Sequence, residues 1–309
     1  MKLIIQIPCL NEALTLPAVV KDLPKEVPGF TSVQYLVIDD GSTDGTAEVA
    51  RHCGVHHVIQ HCGNQGLARA FMTGLEYCLE LDADVIVNTD GDNQYSGADV
   101  PLLTEPITSG VADVVVGARP IRNSEHFSTW KKILQLLGSW VVRVASGTDV
   151  TDAPSGFRAF SKEAAERFVV FNDYTYTLET IIQAGRGGLR VQSVPISVNG
   201  KTRESRLFSS TWGYVSKSTL VIIRVFAIYR PFRFLGSLGA ILIAGGLVIG
   251  LRFVWLFLEG EGDGHIQSLI LAAIFILLGA QAIIAAFLAD LAAANRKLLE
   301  DIRYSGRKK

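Results

Sequence analysis

The sequence predicts an α/β sheet domain followed by two membrane-spanning helices. Three observations predict it. Short β-branched runs alternate with helix-spaced stretches over the first half. Polar clusters stand immediately after the strand-like runs. Two long stretches in the last third carry no charge. The strand-like runs are Leu3–Ile7, Tyr35–Ile38, Val85–Val87 and Val114–Val116. They are continuous rather than alternating, as in strands covered on both faces. Between them lie Ala13–Leu23, Thr46–His52, Leu67–Leu81 and Val100–Ser109, with helical spacing. That alternation predicts a doubly wound sheet, in which ligands bind at the carboxyl ends of the strands.

Composition narrows the class. Of 309 residues, 49% are hydrophobic and 19% charged, and mean hydropathy is positive. Net charge is −1, so no basic field for nucleic acid is expected. The four cysteines form no disulfide framework. Met1–Pro8 lacks the long apolar core and small-residue cleavage site of a leader, and reads as a buried first strand.

The apolar excess is local. Phe234–Leu251 runs eighteen residues without a charge, and Ile266–Ala289 runs twenty-four. At 1.5 Å rise per residue, about twenty residues cross roughly 30 Å of hydrocarbon. A buried core helix of that length would normally show a polar face. The link between the runs, Glu259–His265, holds three acids and no Lys or Arg. Arg224, Arg230 and Arg233 precede the first run, and Arg296, Lys297, Arg303, Arg307, Lys308 and Lys309 follow the second. The positive-inside rule then puts both flanks and the N-terminal domain in the cytoplasm, with Arg252 snorkelling at the outer interface. Trp212–Tyr229 mixes aromatic, aliphatic and basic residues. It reads as an amphipathic helix on the inner leaflet or, equally, as one packed on the α/β domain.

The chemistry-bearing residues follow the strands. Asp90-Gly91-Asp92 places two carboxylates two residues apart just beyond Val85–Asn88, with Gln94 close behind. Such hard oxygen ligands suit Mg²⁺ or Mn²⁺ and a diphosphate bridged by it. The spacing alone is common in solvated turns, and its position gives it weight. Asp39-Asp40-Gly41-Ser42-Thr43-Asp44-Gly45-Thr46 follows the second strand. Its residues can cap the next helix, or one carboxylate can accept from a base or ribose. Pro8, Asn11 and Glu12 would form the facing wall. Residues 52–62 gather four of the six histidines with Cys53 and Cys62, but in no standard zinc spacing.

Taken in order, five segments carry a resemblance: Ile7–Glu12, Val37–Thr46, Gly63-Asn64-Gln65-Gly66, Asp90–Gln94 and Ser155-Gly156-Phe157-Arg158. Together they resemble family-2 glycosyltransferases with the GT-A fold, and more narrowly the polyprenyl-phosphate glycosyltransferases, over about residues 3–206. The resemblance implies a nucleoside site lined by Pro8, Asn11, Glu12, Asp39 and Asp40. It implies Asp90, Asp92 and Gln94 around a metal and the donor diphosphate. Arg119 would stand near the acceptor phosphate or the diphosphate. Asp152 and Arg158 would face sugar and acceptor, with Asp152 a candidate base or orienting residue. Arg203, Ser205 and Arg206 would close over phosphates. Gly91 stands where many relatives carry Ala, and Asn93 where they often carry Leu.

The implied reaction is inverting transfer of a hexose, glucose from a UDP-linked donor by preference, to undecaprenyl or another polyprenyl phosphate at the cytoplasmic face of the plasma membrane. Mannosyl transfer from GDP-mannose and transfer to another lipid acceptor are the alternatives. A processive synthase would carry a Gln-x-x-Arg-Trp motif, which is absent. A non-catalytic scaffold would have no need of the Asp90/Asp92 pair. The expected organisation is a GT-A domain over 1–208, juxtamembrane helices over 209–231, two spans over 232–290 and a basic tail over 291–309. Gly236, Gly239, Gly245, Gly246 and Gly250 suit close helix packing and a homo-oligomer such as a tetramer.

Overall fold

The computed structural model describes residues 1–120, 129–170, 176–199, 230–260 and 266–307. The chain forms two compact units. One comprises Met1–Ser218 with Arg303–Lys309, the other Thr219–Ile302.

The first unit is built on a seven-stranded sheet. In chain order it contains β1 (Lys2–Cys9), α1 (Leu16–Asp22), β2 (Ser32–Asp39), α2 (Thr46–His52), β3 (His57–Gln60), α3 (Leu67–Glu80) and β4 (Val85–Asn88). A short 3₁₀ turn, Gly97–Asp99, leads into α4 (Val100–Thr108). Then come β5 (Val114–Ala118), α5 (Thr129–Ser146), β6 (Arg158–Ser161), α6 (Lys162–Arg167), α7 (Thr177–Arg186) and β7 (Val191–Pro195). Strand order is β3-β2-β1-β4-β6-β5-β7. All pairings are parallel except those of β6, which runs antiparallel to both β4 and β5. The sheet is therefore mixed: the four strands read from the sequence run parallel, and β6 between β4 and β5 runs against them. β3 and β7 are partly exposed edge strands and β6 reads Arg-Ala-Phe-Ser, so none of the three carries the continuous β-branched run that marks β4 and β5.

The central strands are apolar because they are covered on both faces. Leu3, Ile4, Ile5, Leu36, Val37, Ile38, Val85, Ile86 and Val87 are fully buried. Pro8 lacks an N–H, yet it lies in the middle strand. It is tolerated because the β1–β4 ladder ends at the Gln6–Asn88 pair, before Pro8 would have to donate. α1 starts at Leu16, three residues later than its apolar pattern suggests. Asn11 holds a left-handed φ of 55°, and residues 11–15 are spent in a loop above the sheet.

The topology places the site. β1, β2, β4 and β5 are parallel, so Asn11–Glu12, Asp39–Asp40, Thr89–Asp92 and Arg119 all emerge at one sheet edge. β6 runs the other way, so the residues just before it, Ser155–Phe157, arrive at the same edge.

The second unit pairs α8 (Pro231–Leu258) with the 42-residue α9 (Ile266–Arg307). Pro231–Leu258 and Ile266–Asn295 are each long and apolar enough to cross a membrane. Most of their large side chains stand exposed, Leu258 by 78% and Val248 by 67%. The seam between them uses small residues. A Cβ at Gly239 would meet the Gly279 carbonyl at 2.7 Å, and one at Gly246 the Ala272 carbonyl at 2.8 Å. The two pairs run in opposite numerical order, so the helices are antiparallel. Gly239 and Gly246 thus serve packing within the chain. The second helix runs on without a break past residue 290, where the sequence reading ends the span.

Candidate active site

The wall formed by the loops after β1 and β2 is a backbone scaffold tied by short polar side chains. The Asn11 amide donates to Ser42 Oγ at 2.8 Å, and Asn11 Oδ1 accepts from the Thr43 amide at 2.9 Å. The Glu12 amide donates to Thr46 Oγ1 at 3.0 Å. Asp44 accepts from the Ala13 amide and from both groups of Thr46. The loop after β1 is therefore locked onto the turn after β2. Gly41, at φ 74°, lets the turn after β2 also meet the loop after β3: a Cβ there would lie 2.5 Å from the Gly63 carbonyl carbon, so only glycine allows that contact.

The two adjacent aspartates divide their work. Asp40 is buried, and its carboxylate is consumed by its own surroundings. It accepts from His61 Nδ1 at 2.8 Å and from the amides of Gln65 and Gly66 at 2.9 and 2.8 Å. Those amides lie in the loop just before α3, so Asp40 fastens that loop to the end of β2. Asp39 Oδ1 accepts from the Ser42 amide at 3.0 Å, while its buried Oδ2 has no partner among the described residues. A buried carboxylate oxygen left open is costly unless a ligand donor fills it.

Asp90 and Asp92 follow β4. Burial first, and then the Asp92 carboxylate, push the Asp90 carboxyl up to about 7, against the pull of Arg119 and Arg158. Asp92 Oδ1 accepts from the Gln94 amide at 3.1 Å, which fixes the turn. Thr15 Oγ1 lies 2.7 Å from the Gly91 carbonyl and 2.8 Å from Glu12 Oε2, tying this turn to the first wall. Gly91 is explained by its neighbour: a Cβ would stand 2.9 Å from Cys9 Sγ. Burial, aided by the nearby Glu12, Asp39 and Asp90 carboxylates, pushes the Cys9 thiol up, so it stays protonated.

Arg119 and Asp152 form a bidentate pair. Nε donates to Oδ2 at 2.7 Å and Nη2 to Oδ1 at 3.0 Å, and the Arg119 amide adds a third bond to Oδ2. Asp152 is 1% exposed, whereas the Arg119 side chain is 22% exposed. Asp152 thus holds Arg119, whose side chain is the more exposed member of the pair. This geometry speaks against Asp152 as a free base.

Arg158 does not face the site. It is fully buried, and its guanidinium donates to the carbonyls of Ser155 (2.7 Å), Thr177 (2.6 Å) and Ala153 (2.5 Å) and to Thr180 Oγ1 (2.9 Å). Burial pulls it down to about 10. It fastens the 153–155 loop to α7, and that is the physical correction to its expected contact with sugar.

Arg203, Ser205 and Arg206 lie outside the described residues, as does Trp212–Tyr229. The chain just before them is anchored beside the carboxylate turn. The Asn199 amide donates to the Gln94 carbonyl at 2.9 Å, and Asn199 Nδ2 to the carbonyls of Asn93 and Tyr95. The histidines of residues 52–62 are dispersed. His56 accepts from the Tyr35 amide, His57 meets Gln34, His52 turns to the Glu48 carbonyl, and His61 serves Asp40. Among the described residues no three His, Cys, Asp or Glu gather to hold a metal.

Sequence reasoning missed a polar layer beneath Asp90, made by Gln6, Asn88, Tyr95 and Tyr176. The available signal was a Gln and an Asn inside otherwise apolar strands, where a polar side chain must have a partner.

Comparison with known proteins agrees with this geometry. Residues 4–169 match the family described as glycosyl transferase family 2. An undecaprenyl-phosphate mannosyltransferase from Micrococcus luteus is 27% identical over 72% of this chain and 93% of its own. A UDP-N-acetylglucosamine–dolichyl-phosphate N-acetylglucosaminyltransferase from Methanococcus voltae is 30% identical over 62% of this chain and 82% of its own. Among solved structures, glucosyl-3-phosphoglycerate synthase from Mycobacterium tuberculosis, crystallised with Mn²⁺, UDP-glucose and phosphoglyceric acid, shares the fold. Its TM-score is 0.58 at 19% identity, over 73% of this chain and 78% of that one. The clustered carboxylates at the carboxyl edge of a GT-A sheet belong to a glycosyltransferase, and the chain belongs to glycosyl transferase family 2.

Proposed function

We propose that the enzyme transfers a hexose from a nucleotide-diphosphate sugar to polyprenyl phosphate at the cytoplasmic face of the plasma membrane. The observation that carries this reading is the convergence of Asp39, Asp90, Asp92 and Arg119 on one sheet edge in a chain that also has two membrane-length helices. Asp39 Oδ2 accepts a base N–H. Uracil N3–H and guanine N1–H both supply one. UDP-glucose is the donor we favour. GDP-mannose is the second reading, because a relative is named as a mannosyltransferase.

The donor set fits Mg²⁺ or Mn²⁺: two hard carboxylates, Asp90 and Asp92, with Gln94 beside them. A metal there neutralises charge on the leaving diphosphate. Arg119, fixed by Asp152, adds positive charge at the same edge. The acceptor phosphate, with a second pKa of about 6, is largely ionised at neutral pH and needs no strong general base. Its oxygen attacks the anomeric carbon as the bond to the diphosphate breaks. The nucleoside diphosphate leaves with the electron pair, and the centre inverts. Arg203, Ser205 and Arg206 follow directly on the anchored Asn199 and are assigned to the phosphates. The apolar helices keep the enzyme beside a substrate whose tail stays in the bilayer, and we assign the chain a homo-oligomeric state, a tetramer being the size proposed.

The test is a donor screen on the full chain in lipid, with undecaprenyl phosphate as acceptor. Nucleoside diphosphate release should depend on added acceptor and disappear in Asp92→Ala. Equal release without acceptor would refute the acceptor assignment, and wild-type turnover of Asp92→Ala would refute the metal assignment.

A further inference from the structure

The polar layer beneath Asp90 has a definite geometry. Gln6 Nε2 donates to Asn88 Oδ1 at 2.9 Å. Asn88 Nδ2 donates to the Gly156 carbonyl at 2.9 Å and to Tyr176 Oη at 2.8 Å. Tyr176 Oη in turn donates to the same Gly156 carbonyl, at 3.4 Å. From the other side, the Gly156 amide donates to Tyr95 Oη at 3.0 Å. Gln6, Asn88 and Gly156 are fully buried, and Tyr95 and Tyr176 nearly so. Both phenol rings are fixed by stacking, Tyr176 on Phe71 at 3.8 Å between centroids and Tyr95 on Phe157 at 5.1 Å.

The Gly156 residue is thus gripped at both its N–H and its C=O. What it presents upward is its bare Cα. A Cβ there would lie 2.8 Å from Asp90 Oδ1, 3.0 Å from Oδ2 and 3.1 Å from Tyr176 Oη. The Asp90 carboxylate rests on a surface whose height is set by three side chains that never reach the solvent. Packed interiors do not deform continuously, so a shift in that surface passes to whatever stands on it. A network whose members are hydrogen-bonded to one another costs little and specifies one arrangement, whereas one missing partner leaves a buried polar group unpaired.

We infer that Tyr95, Asn88 and Tyr176 are positioning residues that orient the Asp90 carboxylate for a divalent cation by clamping Gly156 beneath it. This rests on the proposed metal-dependent reading of the site. The three residues come from the turn after β4, from β4 itself and from the approach to α7, so the clamp forms only when the sheet and α7 have docked. Outer partners of this kind tune metal affinity without touching the ion.

The experiment measures Mn²⁺ affinity of the full chain in lipid by the electron paramagnetic resonance of free Mn²⁺, together with melting temperature. Tyr95→Phe keeps the ring on Phe157 and removes only the hydroxyl. It should weaken Mn²⁺ binding about tenfold, the lower end of what loss of such outer partners costs. Tyr176→Phe should shift it in the same direction. Tyr35→Phe is the control: it removes another buried hydroxyl, bonded to the carbonyls of Leu23 and Pro24, away from the carboxylates. It should lower the melting temperature and leave Mn²⁺ affinity unchanged. Wild-type affinity in both Tyr95→Phe and Tyr176→Phe, with the parent protein binding Mn²⁺ and transferring sugar, overturns the inference alone. An equal loss of affinity in Tyr35→Phe also overturns it, since general loosening would then explain the effect. A parent protein with no Mn²⁺ affinity overturns the proposed reading and this inference together.

Discussion

Asp90 sets up a competition between a proton and a cation. Its carboxyl is held at about 7, chiefly by burial and then by the Asp92 charge. A cation binds the ionised form. With that value, about one tenth of Asp90 is ionised at pH 6 and about nine tenths at pH 8, so cation affinity should rise about tenfold, or 1.4 kcal/mol, across that interval. The sign for stability is opposite. A carboxyl raised in the folded state contributes stability that is full below its unfolded value, about 4, and is lost as pH climbs through 7. Metal-free protein should therefore melt lower at pH 8 than at pH 5, and Asp90→Asn should remove that part of the slope. The assay is Mn²⁺ titration without nucleotide at pH 6, 7 and 8, with thermal melts of parent and variant in chelator. Mn²⁺ affinity independent of pH, or an Asp90→Asn protein no more stable than its parent at pH 8, would refute the reasoning.

Three further outcomes follow from single contacts. Arg158→Leu leaves the carbonyls of Ala153, Ser155 and Thr177 buried without their donor, and should cost about 3–5 kcal/mol in denaturant unfolding, a structural rather than kinetic defect. Gly91→Ala drives a methyl onto Cys9 Sγ and should destabilise by about 1–3 kcal/mol, while adding Cys9→Ala should recover most of it in a double-mutant cycle. Asp40→Ala removes the charged acceptor of the Gln65 and Gly66 amides and should cost about 1–2 kcal/mol by thermal melting, with those amides exchanging faster with solvent.

Much of the site was legible because its residues sit in short contiguous motifs at strand ends. Asp90 and Asp92 can be read as a pair from their spacing and their place just after a strand, and the edge they share with Asp39 follows from the parallel order of β1, β2 and β4. The division of labour between Asp39 and Asp40 was not legible. Adjacent carboxylates look alike in sequence, and only the position of the Gly63–Gly66 loop decides which one is consumed. Arg158 misled for a similar reason: an arginine after a motif suggests a phosphate contact, whereas its donors are taken by the Thr177 carbonyl and Thr180 hydroxyl, nineteen and twenty-two residues away, and by two carbonyls of the adjoining loop.

The sequence by itself determined the strand–helix alternation, the two membrane-length helices and the family, because each is written in local pattern: β-branched runs, uncharged stretches and ordered motifs. The tertiary structure alone decided that β6 runs antiparallel, bringing Gly156 under Asp90, and that Asn88, Tyr95 and Tyr176 meet there. These are contacts between residues 61 to 88 positions apart. No local period encodes them. They exist because the sheet must close its buried polar groups on one another once water has been excluded.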